Sequence, residues 1–206
     1  VILGFYLIVA ITGGFSPGGW LYVTYSITNF AGFLLLLTWT GNHSPGAIDN
    51  ASGVGILLSL AEIISRERFK GPDITFAFTG AEEEGLAGAF ILCDSLKGLL
   101  SRDNTYFINL DGLGPKGRIY CTHKIGLHPT FTKGQGRLVS LIKESADKEG
   151  IKVYSPPPVI GAMADHFPFV FEGFNAVTLS AVSRRSLVVH TPRDTIEQID
   201  PEGLEK

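Results

Sequence analysis

No Asp, Glu, Lys or Arg occurs before Asp49. This charge-free opening restricts the possible folds more than any other feature of the chain. Residues 1–12, VILGFYLIVAIT, are an apolar run, GGFSPGG follows as a turn, and WLYVTYSITNFAGFLLLLTW extends from Trp20 to Trp39. At ~1.5 Å per helical residue, the second run matches the ~30 Å hydrocarbon thickness of a bilayer. Tryptophans at its ends suit the interfacial aromatic belt, and its Ser, Thr and Asn side chains can hydrogen-bond within the helix or to a neighbour. A signal peptide fits poorly, because there is no basic start and the apolar region is too long. Residues 1–41 therefore read as a transmembrane helical hairpin whose first helix is truncated, contacting lipid through residues 1–40 and giving a membrane localisation. The nearest positive residue downstream is Arg66, so the charge rule leaves the side of the membrane open.

The texture changes to soluble α/β over residues 42–206. The full chain of 206 residues has a formal net charge of -3. That balance does not imply nucleic acid as a partner. Cys93 and Cys121 lie outside any CxxC spacing and read as buried free thiols. The chain opens on Val1 and stops at GLEK, which reads as the start of a helix, so this domain is expected to be incomplete at both ends.

NHSPGAIDNASG is a loop of turn formers, and Val54, Leu57, Leu58, Ala61 and Ile64 then recur at helical spacing. DITFAFT reads as a strand, GLAGAFILCDSLKGLL as a helix, and TYFINLD and GRIYCT as strands. RLVSLIKESADKEG reads as a helix ending at Gly150, and IKVYS and NAVTLSAV complete the strand set. Strands alternating with helices predict an α/β fold with a mostly parallel central sheet and helices on both faces.

In open α/β sheets, functional groups gather beyond the carboxyl ends of the strands. Glu82 and Glu83 follow ITFAFTGA, Asp111 closes TYFINLD, His190 follows LSAVSRRSLVV, and Asp49 precedes the first long helix of the domain. A lone acid after a strand is ordinarily a helix cap. Several converging on one edge would repel one another strongly unless a divalent cation joined them.

PGAIDNASGV, TGAEEEGLAG, NLDGLG, ADHFPF and VVHTPRDT, in that order, resemble the co-catalytic di-zinc aminopeptidases, including the bacterial leucyl aminopeptidases. Glutaminyl cyclases and the transferrin receptor ectodomain share that fold. The match covers about residues 42–202. The resemblance implies a peptide substrate and two zinc ions bridged by Asp49, with Glu83 and His190 completing one site, Asp111 binding the other ion, and Glu82 as general base. Glu84 is left facing solvent. The ligand chemistry is sound on its own terms, because zinc takes carboxylate oxygen and imidazole nitrogen and leaves a position for water. Asp165 and His166 resemble a segment near the substrate, and Asp194 is expected either to accept a hydrogen bond from His190 or to serve as a turn former.

One element of that family is missing. The second zinc ordinarily has a histidine in a His-x-Asp motif well ahead of the bridging Asp. His43 is the only histidine before Asp49, and it stands too close, in the turn-forming loop. The expectation is that this histidine precedes Val1, with the hairpin inserted between it and Asp49. GQGRLV lacks the third glycine of a dinucleotide fingerprint and is no cofactor motif. Arg184, Arg185, His123 and His128 carry no assigned role. The predicted function is a membrane-anchored zinc aminopeptidase. A single-zinc glutaminyl-cyclase-like acyltransferase and a catalytically silent binding ectodomain of the same fold are the alternatives, and retention of all five site residues weighs against the silent one.

Overall fold

The computed structural model describes residues 17–36, 41–67, 71–123, 136–155 and 163–204. The chain divides into two compact units, Val1–Asn42 and His43–Lys206.

Within the first unit, helix α1 spans Pro17–Leu36 and is uncharged. Proline at its first position has no N–H to leave unsatisfied. Leu21, Tyr25, Ile27, Phe30, Phe33 and Leu34 are all exposed. Its polar side chains turn inward to the helix backbone: Thr24 donates to the Trp20 carbonyl, Thr28 to that of Thr24 at 2.8 Å, and Asn29 to that of Tyr25 at 2.8 Å. The expected first helix of the hairpin, residues 1–12, lies outside the described residues.

Among the described residues the second unit is built on a four-stranded sheet: β1 Tyr106–Leu110, β2 Arg118–Thr122, β3 Val153–Tyr154 and β4 Asn175–Val182, in the order β1-β4-β2-β3. β1 runs parallel to β4 from Tyr106↔Asn175 to Leu110↔Leu179, and β2 runs parallel to β3. β2 and β4 are antiparallel, from Arg118↔Val182 to Thr122↔Thr178. The sheet is therefore mixed, with two of its three described pairings parallel and one antiparallel. The reason lies in residues 111–117, which turn the chain back without a helix. A parallel return needs a crossover of about a dozen residues or more.

The expected strand DITFAFT joins no ladder among the described residues, and its Ile74 and Phe78 are exposed. Apolar periodicity marks a segment that suits a sheet, but pairing needs a neighbouring strand.

Among the described residues five α-helices accompany the sheet: α2 Ser52–Glu67, α3 Ala87–Leu96, α4 Gly136–Lys148, α5 Phe167–Phe171 and α6 Pro201–Leu204. The strands' alternation sends Phe107 and Ala176 to one face and Tyr106 and Val177 to the other. On the first face Leu86, Ala89 and Cys93 of the α3 region meet Phe167, Phe169, Val170 and Phe174 from α5 and the turn after it. Phe107 stacks on Phe169 at 3.9 Å between ring centroids and meets Phe174 edge-on at 5.2 Å. Each such side chain contributes roughly 1.5–3 kcal/mol when fully buried. On the second face Leu138 and Val139 of α4 pack on Cys121 and Val177. Helices on both faces are thus as expected, and α4 ends as expected near Gly150, whose φ is +70°.

Cys93 and Cys121 are free and buried, one in each cluster. Burial pushes the Cys121 thiol up to about 11, which keeps it inert.

The stretch Ala47–Glu67 is long and apolar enough to cross a membrane by length and composition. Its start is tied to Asp194 and Leu110 of the folded unit, however, and it carries Asp49, Glu62, Arg66 and Glu67. We read it as a helix of that unit. Val54, Leu58, Leu60 and Ile63 along α2 are exposed.

Candidate metal centre

Asp49 sits where the chain enters α2. The backbone leaves helical geometry at Asp49 (φ -118°, ψ 92°) and Asn50 (φ -141°, ψ 33°). Neighbours on both sides hold this kink. Asn50 Nδ2 donates to the Leu110 carbonyl at 2.7 Å, the last residue of β1. Ser52 Oγ donates to the carbonyls of Ile48 and Leu113. Glycine is required at 53, because a Cβ there would lie 2.4 Å from Asn50 Oδ1 and 2.8 Å from the Leu110 oxygen. The sequence DNASG is therefore a close-packed joint between β1 and α2 that aims Asp49 at the end of the sheet.

Glu82 and Glu83 ride on a second rigid turn. Leu86 N–H donates to the Glu82 carbonyl at 2.7 Å, Ala87 to Ala81 at 3.0 Å and Gly88 to Gly80 at 3.1 Å. A Cβ on Gly88 would stand 2.3 Å from the Gly80 oxygen, so only glycine permits that approach. Ala81 and Leu86 both adopt positive φ, at 56° and 62°. Holding non-glycine residues there costs of order 1–2 kcal/mol each. The turn is thus clamped by backbone bonds into a shape its residues do not favour alone. Glu84 is exposed, as expected.

Asp111 continues the β1–β4 ladder by one residue, its N–H donating to the Leu179 carbonyl at 3.0 Å. By alternation it shares the face of Phe107 and Asn109. His190 has φ 63° and projects from the turn after β4.

These elements bring three ligand types together. His190 Nε2 lies 2.9 Å from Asp49 Oδ2 and 2.5 Å from Glu83 Oε1. One donor atom from each of the three residues falls within 4.8 Å of the others. Zinc–ligand bonds of roughly 2.0–2.2 Å in a tetrahedron put ligand atoms about 3.3 Å apart, so sub-ångström outward shifts would admit an ion. Two carboxylates and one imidazole, with a fourth position open to solvent, fit zinc. Asp111 is not in that three-residue cluster. Its carboxyl is nonetheless near enough to feel the cluster's charges.

The electrostatics follow the geometry. Burial, then the carboxylates of Asp111, Glu83, Asp165 and Asp49, raise Glu82 to about 7. Burial, then Asp49, Asp165 and Glu83, raise Asp111 to about 6. For His190, burial alone would lower the pKa, but Glu83, Asp49 and Glu82 carry it upward on balance. Glu82 and Asp111 thus hold their protons more tightly than in water, as expected of buried carboxyls among like charges that a cation would relieve.

Asp194 corrects the expectation placed on it. Its carboxylate does not reach His190. It is fully buried, and accepts from the backbone N–H of Ile48 at 2.7 Å and of Asp49 at 3.2 Å, while its own carbonyl accepts from Ala47 at 3.1 Å. A residue four places after His190 therefore positions Asp49 instead. Asp165 Oδ2 accepts from Thr79 Oγ1 at 2.5 Å, and His166 Nδ1 lies 2.6 Å from Thr178 Oγ1. The distant partners of Asn50, Ser52 and Thr79 lie 60, 61 and 86 residues away, beyond what sequence spacing can show. The adjacency DNAS and the small residues around Glu82 were the available signals.

Comparison with known proteins follows the same lines. The model for peptidase family M28 matches residues 34–206. Aminopeptidase YwaD of Bacillus subtilis (strain 168) is 29% identical over 168 residues, 79% of this chain and 35% of that protein. A probable zinc metalloprotease of Pyrenophora tritici-repentis (strain Pt-1C-BFP) is 42% identical over 71 residues, 34% of this chain and 16% of that protein. LapB from Legionella pneumophila superposes with a TM-score of 0.66 at 25% identity, over 81% of this chain and 45% of LapB. A zinc aminopeptidase from Bacillus subtilis gives 0.58 at 27% identity, over 81% of this chain and 40% of that one. The chain spans less than half the length of each of these relatives. Sequence and fold point the same way, and the chain belongs to peptidase family M28.

Proposed function

We propose that this chain forms the catalytic part of a membrane-anchored zinc aminopeptidase that removes N-terminal residues from peptides. The observation carrying the reading is the meeting of Asp49 Oδ2, Glu83 Oε1 and His190 Nε2 around one point, beside a Glu82 carboxyl whose pKa is raised to about 7. Asp49, Glu83 and His190 would hold one zinc ion, and Asp111 with Asp49 would face a second, whose further ligand is not among the described residues. Zinc held there supplies positive charge next to the scissile carbonyl and a more acidic water.

The remaining steps belong to the protein. Glu82 takes a proton onto a carboxylate oxygen as water attacks, and returns it to the leaving nitrogen. A carboxyl raised toward neutrality is suited to both transfers, although a bound cation would bring its pKa down again. Asp165 adds negative charge near Glu82 and Asp111, favouring a substrate that presents a free ammonium. The relatives reported above are aminopeptidases and a probable zinc metalloprotease, so the single-zinc acyltransferase reading gains nothing from them.

Glu82→Gln is the direct test. The variant is expected to bind zinc as the parent does, yet hydrolyse amino-acid anilides about 10²-fold or more slowly. Turnover at the parental rate would remove Glu82 from this role.

A further inference from the structure

β2 and β3 run side by side with Ile119 opposite Val153 and Tyr120 opposite Tyr154. One step earlier the same register sets Arg118 opposite Lys152, and alternation puts both on the face of the two tyrosines. The tyrosine rings stand 5.7 Å apart between centroids. Arg118 Cζ lies 5.6 Å and Lys152 Nζ 5.2 Å from the centroid of the same Tyr154 ring. Among the described residues neither cation is paired with an acid. Like charges directly opposite on neighbouring strands repel, and an anion held between them turns that repulsion into attraction. Charge on an edge strand also blocks unwanted strand pairing, which accounts for Lys152 at β3 but not for Arg118 on the interior strand β2.

This patch has an opening. The starts of β2 and β3 line a pocket of about 230 Å³ whose walls include Gly117, Arg118, Gly150, Lys152 and Tyr154. Arg118 and Lys152 are exposed to solvent.

Its place on the sheet relates it to the candidate metal centre. The bond from the Asp111 N–H to the Leu179 carbonyl carries the parallel register on to Asp111 opposite Ser180. Ser180 in turn pairs with Tyr120. Asp111, Ser180, Tyr120 and Tyr154 are therefore one row across four strands, on one face of the sheet. Three strand spacings separate its ends, roughly 14 Å. Val182, Arg118 and Lys152 form the row two residues further along, roughly 7 Å on, and Val182 is 48% exposed. From Asp111 to the cations is thus about five residues of extended peptide at ~3.3 Å each.

We propose that Arg118 and Lys152 form a substrate-binding site for a carboxylate of the peptide, about five residues beyond the bond that is cut. Acids at the metal centre draw the ammonium end of the substrate and this patch draws its carboxylate, so peptides of about five or six residues bridge the two. The proposal rests on the peptidase reading of the neighbouring centre and adds a substrate class to it.

Hydrolysis by the zinc-loaded chain of peptides two to six residues long, each beginning with Leu and each made as free acid and as C-terminal amide, is the test. At five or six residues the free acid is expected to have a KM about fivefold below that of the amide, with kcat alike, and at two residues no such advantage. Added salt should shrink the gain, because both cations are exposed. Arg118→Gln combined with Lys152→Gln should bring the ratio of the two KM values to about one. A six-residue amide carrying Glu at its fifth position separates the sources of the carboxylate. A KM as low as that of the free acid supports capture of a side chain as well, and no gain supports the chain terminus. An acid-to-amide ratio that does not change with length, or that survives in the double variant, would overturn the proposal and leave the peptidase reading intact. No hydrolysis of any of these peptides would overturn both.

Discussion

Glu82, Asp111 and His190 all hold protons more tightly in the folded chain than in an unfolded one. A group whose folded pKa is raised binds more protons in the native state over the interval between its two pKa values. Stability then falls as pH rises through that interval. For Asp111 the interval runs from 3.8 to about 6, and for Glu82 from 4.5 to about 7. His190 acts in the same direction above 6.5. The metal-free protein is therefore expected to lose melting temperature between pH 5 and pH 8, with the slope reduced in Asp111→Asn. Zinc should remove the trend, because a cation favours the charged carboxylates, and its binding at pH 6 should release protons into a weak buffer. A melting temperature that is flat in chelator across this range would contradict the electrostatic account. The same residues show what a sequence can reveal of such a site. Asp49, Glu82, Glu83, Asp111 and His190 stood out in the sequence because each lies after an apolar strand-like segment or just ahead of a helix, within a motif that resembles the family's. Their proton affinities were not legible, because these arise from distances between residues up to 141 positions apart.

At the scale of elements, the joint between β1 and α2 matters most. Asp194 joins it from the far end of the chain, giving both carboxylate oxygens to backbone N–H groups at Ile48 and Asp49. Asp194→Ala would orphan these donors at about 1–3 kcal/mol each and release the backbone that aims Asp49. Zinc affinity is expected to fall 10–100-fold, as for loss of other groups that orient a ligand. Chelator competition and thermal unfolding read the two effects separately, and unchanged zinc affinity would deny Asp194 this role. Sequence reading linked Asp194 to His190 because the two lie four residues apart. The structure instead links it to a segment 146 residues away, and local spacing carries no information about such a partner. The failed strand at DITFAFT has a related cause. Its composition is that of a strand, but whether it pairs depends on what lies alongside.

At the scale of the whole molecule, the two units differ in the surfaces they present. α1 exposes Leu21, Ile27, Phe30 and Phe33 and closes its own polar side chains onto its backbone, an arrangement suited to lipid. We propose that it anchors the chain in a membrane. The full chain is then expected to float with liposomes, and Phe30→Lys, at a cost of about 2.5–3.5 kcal/mol near a helix centre, should shift it substantially toward the soluble fraction. Equal partitioning of the two chains would argue against insertion of this helix.

The sequence by itself determined the mixed helix–strand character, the burial of both cysteines, the family, and the set of acids and imidazole at strand ends. The family followed from the resemblance of five motifs in order, and the rest from periodicity, turn chemistry and residue type, which are local properties. Tertiary structure alone decided that the sheet is mixed, that Asp194 serves Asp49, and that the Glu82 carboxyl is raised toward neutrality. Each of these depends on which distant groups meet, and hydrogen bonding, burial and charge repulsion take their values only once that meeting has occurred.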